Sequence, residues 1–151
     1  SIFVSHPIVD NAEIAEQVLN TVENKLLNKY GLKTLSSDED GYVDVYEGSA
    51  YKRDLSYHQG ITWPWLLGLY YDALKNTIII EKNRTKRQEL EEKITKLVYT
   101  TKEIFKSEMF ERSSIGTISE IYDSTEPYEE RGAFAQAWSV AEIFRIVLNK
   151  R

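Results

Sequence analysis

Residues 65–80, WLLGLYYDALKNTIII, decide the fold. An α-helix built from this run is apolar nearly all round its circumference, so it has to be buried against several neighbours at once. Pro64 suits the first helical position, where its missing N–H costs nothing. Upstream, Asp10 and Glu13 have capping-box-like spacing, and Ile14, Val18, Val22 and Leu26 recur at helical spacing until Gly31 offers a left-handed stop. This predicts an amphipathic helix over 11–30. Downstream, Leu90, Ile94, Leu97, Val98, Ile104 and Phe105 keep a stripe on a helix predicted over 84–111, whose other face carries Lys, Arg and Glu. A last helix over Ala133 to Leu148 is again apolar for most of its circumference, with charges delayed to Glu142 and Arg145.

Between these elements lie two stretches without sustained period, Gly31 to Thr62 and Arg112 to Gly132. A connection of about 30 residues is long inside a compact domain, and such loops are functional or disordered. Tyr30, Tyr42, Tyr46, Tyr51 and Tyr57 argue against disorder in the first. The order amphipathic helix, long loop, buried helix thus occurs twice, which predicts an all-α chain of two helical hairpins. Such an alternation suits a double ring with the polar-faced helices outside and the apolar ones inside; it also suits helical solenoids and ordinary bundles. In a ring, both long loops lie at the N-terminal ends of the inner helices, on one face, where a site is expected.

Composition narrows the chemistry. A net charge of -5, with the Lys and Arg residues scattered among acids, supplies no basic field for a phosphate backbone and argues against nucleic acid. No apolar run reaches the ~20 residues that cross a bilayer, so no membrane partner is expected. The absence of cysteine excludes disulfides, thiolate nucleophiles and Cys-based zinc sites, leaving His6 and His58 as the imidazoles; no metal or cofactor is expected, and a cytoplasmic location fits.

All three tryptophans and His58 fall in two short segments, YHQGITWPWLLGLYYDAL (57–74) and GAFAQAWSVAEIF (132–144). Aromatic faces beside His, Gln, Arg and carboxylates are the set that grips a sugar ring, whose C–H faces stack while its hydroxyls need donors and acceptors. Glu120, in GTISEIYDS (116–124), is flanked by Ile118 and Ile121, and Asp123 follows three positions later. Paired carboxylates in unlike surroundings are what glycoside hydrolysis requires. The plainer alternatives are a solvated Glu120, or one paired with Arg112 or Arg131, and an Asp123 that serves the turn before Pro127. His58, Gln59, Trp63 and Trp65 gather at one helix N-terminus. Arg131 either binds a hydroxyl or holds Glu120 or Glu130. Gln136 and Trp138, ~200° apart on a helix over 133–148, cannot both face one pocket from the helix body.

The segment 57–74 closely resembles the Y-H-Q-G-T-x-W-P-W-L-L-G segment of glycogen debranching enzymes, in their C-terminal amylo-α-1,6-glucosidase domain. KYGLKTLSSDEDGY (29–42) and the stretches 116–123 and 131–142 are similar to that family in the same order, so the resemblance runs across almost all of the chain. It implies a toroid of about six helical hairpins, (α/α)6, of which this chain supplies about four helices. It also implies hydrolysis, with inversion, of α-1,6-linked glucose at branch points of glycogen or limit dextrin. Glu120 falls on the family's general base, and the partner acid, an aspartate, belongs upstream of Ser1. The chain is therefore expected to be a C-terminal fragment, inactive alone, whose partners are a branched α-glucan, the N-terminal part of the same enzyme and, through its raw apolar faces, further copies of itself. Among departures from the family pattern, Ser124 replaces the glycine after Asp123 and is expected to alter the turn that aims Glu120. The competing classes are a non-catalytic helical module binding glycan or protein, which places Glu120 in solvent or in a structural ion pair, and another toroidal enzyme such as a trehalase-like hydrolase or a disaccharide phosphorylase. The phosphorylase would require a phosphate site that this stretch does not display.

Overall fold

The computed structural model describes residues 8–112 and 115–148; His6 lies outside them. Among the described residues the elements run α1 (Ala12–Lys25), β1 (Leu32–Lys33), α2 (Ala50–Ser56), β2 (Thr62–Trp63), α3 (Leu66–Ile80), α4 (Arg84–Glu111), β3 (Ile121–Tyr122), β4 (Glu130–Arg131) and α5 (Ala137–Leu148). The chain is mostly helical, but the all-α expectation fails. The four strands form one antiparallel sheet in the order β1-β2-β3-β4, with Leu32 opposite Trp63, Thr62 opposite Tyr122, and Ile121 opposite Arg131. Two-residue strands are too short to leave an alternating pattern in the sequence, which is why both stretches read as irregular.

The apolar helix α3 is the hub: it packs against α1, α4 and α5. Leu67, Tyr70, Tyr71, Ala73 and Leu74 enter the main core with Leu19, Leu90, Ile94, Phe105, Ile143 and Ile146. Burial is not complete on every side, since Lys75 and Ile79 face solvent. Asn83 caps α4, accepting N–H bonds from Thr85 (2.9 Å) and Lys86 (3.2 Å), and the short 81–83 link makes α3 and α4 a hairpin. The hub meets α5 through an ion-pair set in which Arg145 bonds both oxygens of Asp72 (2.8 and 2.9 Å) and also Glu142.

Three boundaries differ from the sequence pattern. Asn11, not Asp10, caps α1, its Oδ1 accepting from Ile14 N–H at 3.1 Å. Helix α1 ends at Lys25, because Leu27 turns out of it to bridge with Leu32. Gly31 is not a left-handed stop: it lies where the chain crosses β2 so closely that a Cβ would overlap the Trp63 carbonyl. The first long loop also holds α2, seven residues capped by Ser49, too short to show a period. Helix α5 begins at Ala137, four residues late, since Ala133 O and Gln136 N–H are taken by the loop carrying Glu120.

Beneath the sheet, Tyr30 stacks on Tyr122 (4.4 Å between centroids) and meets Phe105 edge-on. Tyr122 donates to buried Glu108 at 3.0 Å. Burial, with a hydrogen bond shared with Glu130, pushes the Glu108 carboxyl up to about 7 from its ordinary 4.5. The folded state thus keeps a proton that the unfolded chain has lost, so this contribution to stability is whole below pH 4.5 and disappears as the pH rises through 7. Glu108→Gln, which copies the protonated form, should equal the parent in urea melts near pH 4 and exceed it above pH 7, by on the order of 2 kcal/mol. Gly31→Ala should cost about 2–3 kcal/mol in the same melts, because backbone rather than a movable side chain blocks the new methyl.

Candidate active site

Glu120 stands immediately before β3, and its N–H donates to Ala133 O at 2.9 Å, one residue past the β3–β4 register, so that Gly132 bulges out of the ladder. Gly132, at φ +68°, passes so close to the carboxylate that a Cβ would overlap its Oε2. Ile118 and Ile121 on either side are 1% and 0% exposed, and Glu120 itself is half-buried. Its Oε1 accepts from Tyr57 Oη (2.5 Å) and Gln136 Nε2 (3.1 Å), and its Oε2 accepts from Ala133 N–H (3.0 Å).

An aromatic cluster continues from Tyr57. Its ring meets Trp63 edge-on at 4.8 Å and His58 at 4.7 Å, and exposed His58 stacks on buried Trp63 at 5.3 Å. Trp138 completes the wall, edge-on to Trp63 at 6.1 Å and stacked on Trp65 at 5.6 Å. A small second core of Ile61, Trp63 and Ile121, flanked by Tyr46, Tyr57, Trp65 and Leu66, supports this wall from below. The result is a half-open surface with broad apolar faces beside one carboxylate.

All three donors to Glu120 are neutral, so they orient the carboxylate without cancelling its charge. Desolvation, and then the bond to Glu120, raise the Tyr57 phenol above its ordinary pKa, which keeps the proton on Tyr57. Gln136 directly precedes α5 and accepts from Ala137 N–H at 3.1 Å while donating to Glu120, so the carboxylate lies at the positive end of the α5 dipole. Among the described residues no three His, Asp or Glu side chains converge as metal ligands.

The structure brings Glu120, His58, Trp63, Trp65, Gln136 and Trp138 into one neighbourhood. The angular objection to Gln136 and Trp138 lapses because Gln136 lies before the helix. Gln59 is exposed, with its carbonyl taking Val43 N–H at 2.6 Å. Arg131 holds neither Glu120 nor Glu130: its Nε and a terminal nitrogen both bond Asp123 Oδ2, at 3.0 and 2.8 Å. Asp123 is no solvated turn residue either. It is 3% exposed, and its Oδ1 accepts Tyr46 N–H at 2.8 Å. Arg112 pairs with Glu130 at 3.0 Å and approaches Glu108 at 3.7 Å. Ser124 adopts no left-handed backbone; its hydroxyl lies 2.6 Å from Thr62 Oγ1 and donates to Gly60 O, tying the two loops together. Tyr57, the closest neighbour of Glu120, had no signal beyond its place in YHQG, because 63 positions separate the two.

A family model described as amylo-alpha-1,6-glucosidase matches residues 1–145. The chain belongs to the amylo-α-1,6-glucosidase family. The match supports a C-terminal region of glycogen debranching enzymes, the family that the sequence resembles. In the described part of this region, no helix is long and apolar enough to cross a membrane.

Because Asp123 joins Arg131 to the Tyr46 backbone, Asp123→Ala strands a guanidinium and a buried N–H together. The expected loss is about 2–4 kcal/mol by denaturant unfolding, with Asp123→Asn costing less.

Proposed function

We propose that this chain is the C-terminal portion of an (α/α)6 toroidal catalytic domain that hydrolyses α-1,6-linked glucose at branch points of glycogen or limit dextrin, with inversion. The observation that carries the reading is the Glu120 carboxylate, half-buried, held by neutral donors and bordered by Trp63, Trp65, Trp138 and His58. Family membership supplies the substrate class. A non-catalytic module would leave Glu120 in solvent or in an ion pair; its half-burial and, among the described residues, its neutral partners support the catalytic reading instead. The hub arrangement of α3 and α5, with α1 and α4 against them, is compatible with inner and outer members of a ring. Between α4 and α5, Phe105, Met109, Phe110, Ile143, Phe144 and Val147 line an apolar groove of about 260 Å³ that further helices of the ring would cover.

In this mechanism the terminal glucose stacks on the exposed indole of Trp138, and Glu120 takes a proton from the water that attacks C1 from the side opposite the leaving oxygen. A carboxylic acid then protonates that oxygen as the C1–O bond breaks, with the two carboxyl groups ~6.5–9.5 Å apart to admit the water. Asp123 is unsuited to the acid's part, since both its oxygens are engaged, by Arg131 and by Tyr46 N–H. The acid is assigned to a part of the domain outside this chain, and the chain alone should release no glucose. In the intact enzyme, Glu120→Gln should lower kcat by roughly 10²–10⁴-fold with little change in substrate affinity. Glucose freshly released by the parent, followed by NMR, should be the β-anomer. Near-normal turnover of the variant, or initial release of the α-anomer, would sink the proposal.

A further inference from the structure

We infer that Oε2 is the atom of Glu120 that takes the proton, and that Tyr57 and Gln136 are positioning residues that hold Oε1 out of the reaction. This rests on the assignment of Glu120 as the base. A carboxylate oxygen has two lone-pair directions, and both at Oε1 are filled, by the Tyr57 hydroxyl at 2.5 Å and the Gln136 amide at 3.1 Å. At Oε2, among the described residues, one direction is filled, by Ala133 N–H at 3.0 Å. The other remains for water. The surroundings agree: Gly132 and Ala133, which flank Oε2, are both exposed. Oε1, in contrast, faces the Tyr57 ring, which is packed against Tyr46, His58 and Trp63. Gln136 is also locked at its other end, its Oε1 accepting Ala137 N–H at 3.1 Å. An amide engaged at both ends is a poor sugar ligand and a good strut. The role differs from the sugar contact that its sequence position suggested.

The two donors fix which oxygen faces the water, and losing one lets the carboxylate turn away from it. The test uses the intact enzyme on a branched limit dextrin, with Tyr57→Phe, Gln136→Met and Glu120→Gln measured side by side and kcat counted per glucan-binding site. Tyr57→Phe should lower kcat per site by roughly tenfold, with KM within about twofold of the parent. Gln136→Met should lower it the same way by less, and it gives the readout if Tyr57→Phe fails to fold. A purely structural part for these residues would reduce the number of binding-competent sites and leave kcat per site in place. Unchanged kcat per site in the folded variants, with Glu120→Gln inactive, overturns this inference alone. Turnover by Glu120→Gln overturns the base assignment and this inference with it.

Discussion

The pairing of Thr62 with Tyr122 is the constraint on which the site depends. It joins β2 to β3, hence the loop that leads into α3 to the loop that precedes α5. Its hydrogen-bond ladder is minimal, and side chains reinforce it. Thr62 Oγ1 accepts from Asn28 Nδ2 at 2.5 Å and lies 2.6 Å from Ser124 Oγ, while Ser124 N–H donates to Asp44 O at 2.7 Å. Thr62 is wholly buried, so these polar groups must satisfy one another. Without that junction Tyr57 and Glu120 would belong to separate loops.

Stability and positioning are thus divided between two layers. The helical layer supplies burial, centred on α3, whose Leu74 is 0% exposed and Tyr71 2%. The sheet layer adds little apolar area but contains the ionic knots: Arg131 with Asp123 on the side of the aromatic wall, and Arg112 with Glu108 and Glu130 beneath it. Buried carboxyl groups held by half-buried arginines contribute more to geometric definition than to net stability. This is how a wall built on loops can hold a carboxylate in one orientation.

The helices were legible in the sequence where they were long. The stripe from Leu90 to Phe105 gave α4 its correct limits, because Asn83 caps its start and twenty-eight residues hold many periods. The apolar run 65–80 located the hub for the same reason. The sheet and α2 were not legible, since two-residue strands and a seven-residue helix are shorter than the patterns that identify them. At the site, residue types and neighbourhoods could be read, but partners could not. The Asp123–Arg131 pair was within reach, eight positions apart; Tyr57 with Glu120 was not, because only the tertiary junction relates them.

The aromatic wall has one more consequence. Trp63, Trp65 and Trp138 are the only tryptophans in the chain, and each lies in ring contact with at least one other. Tryptophan emission from this region, excited where tyrosine does not absorb, therefore comes entirely from one spot, and the close chromophores share excitation. A saccharide settling on that surface would be reported by the molecule's own light, with no label.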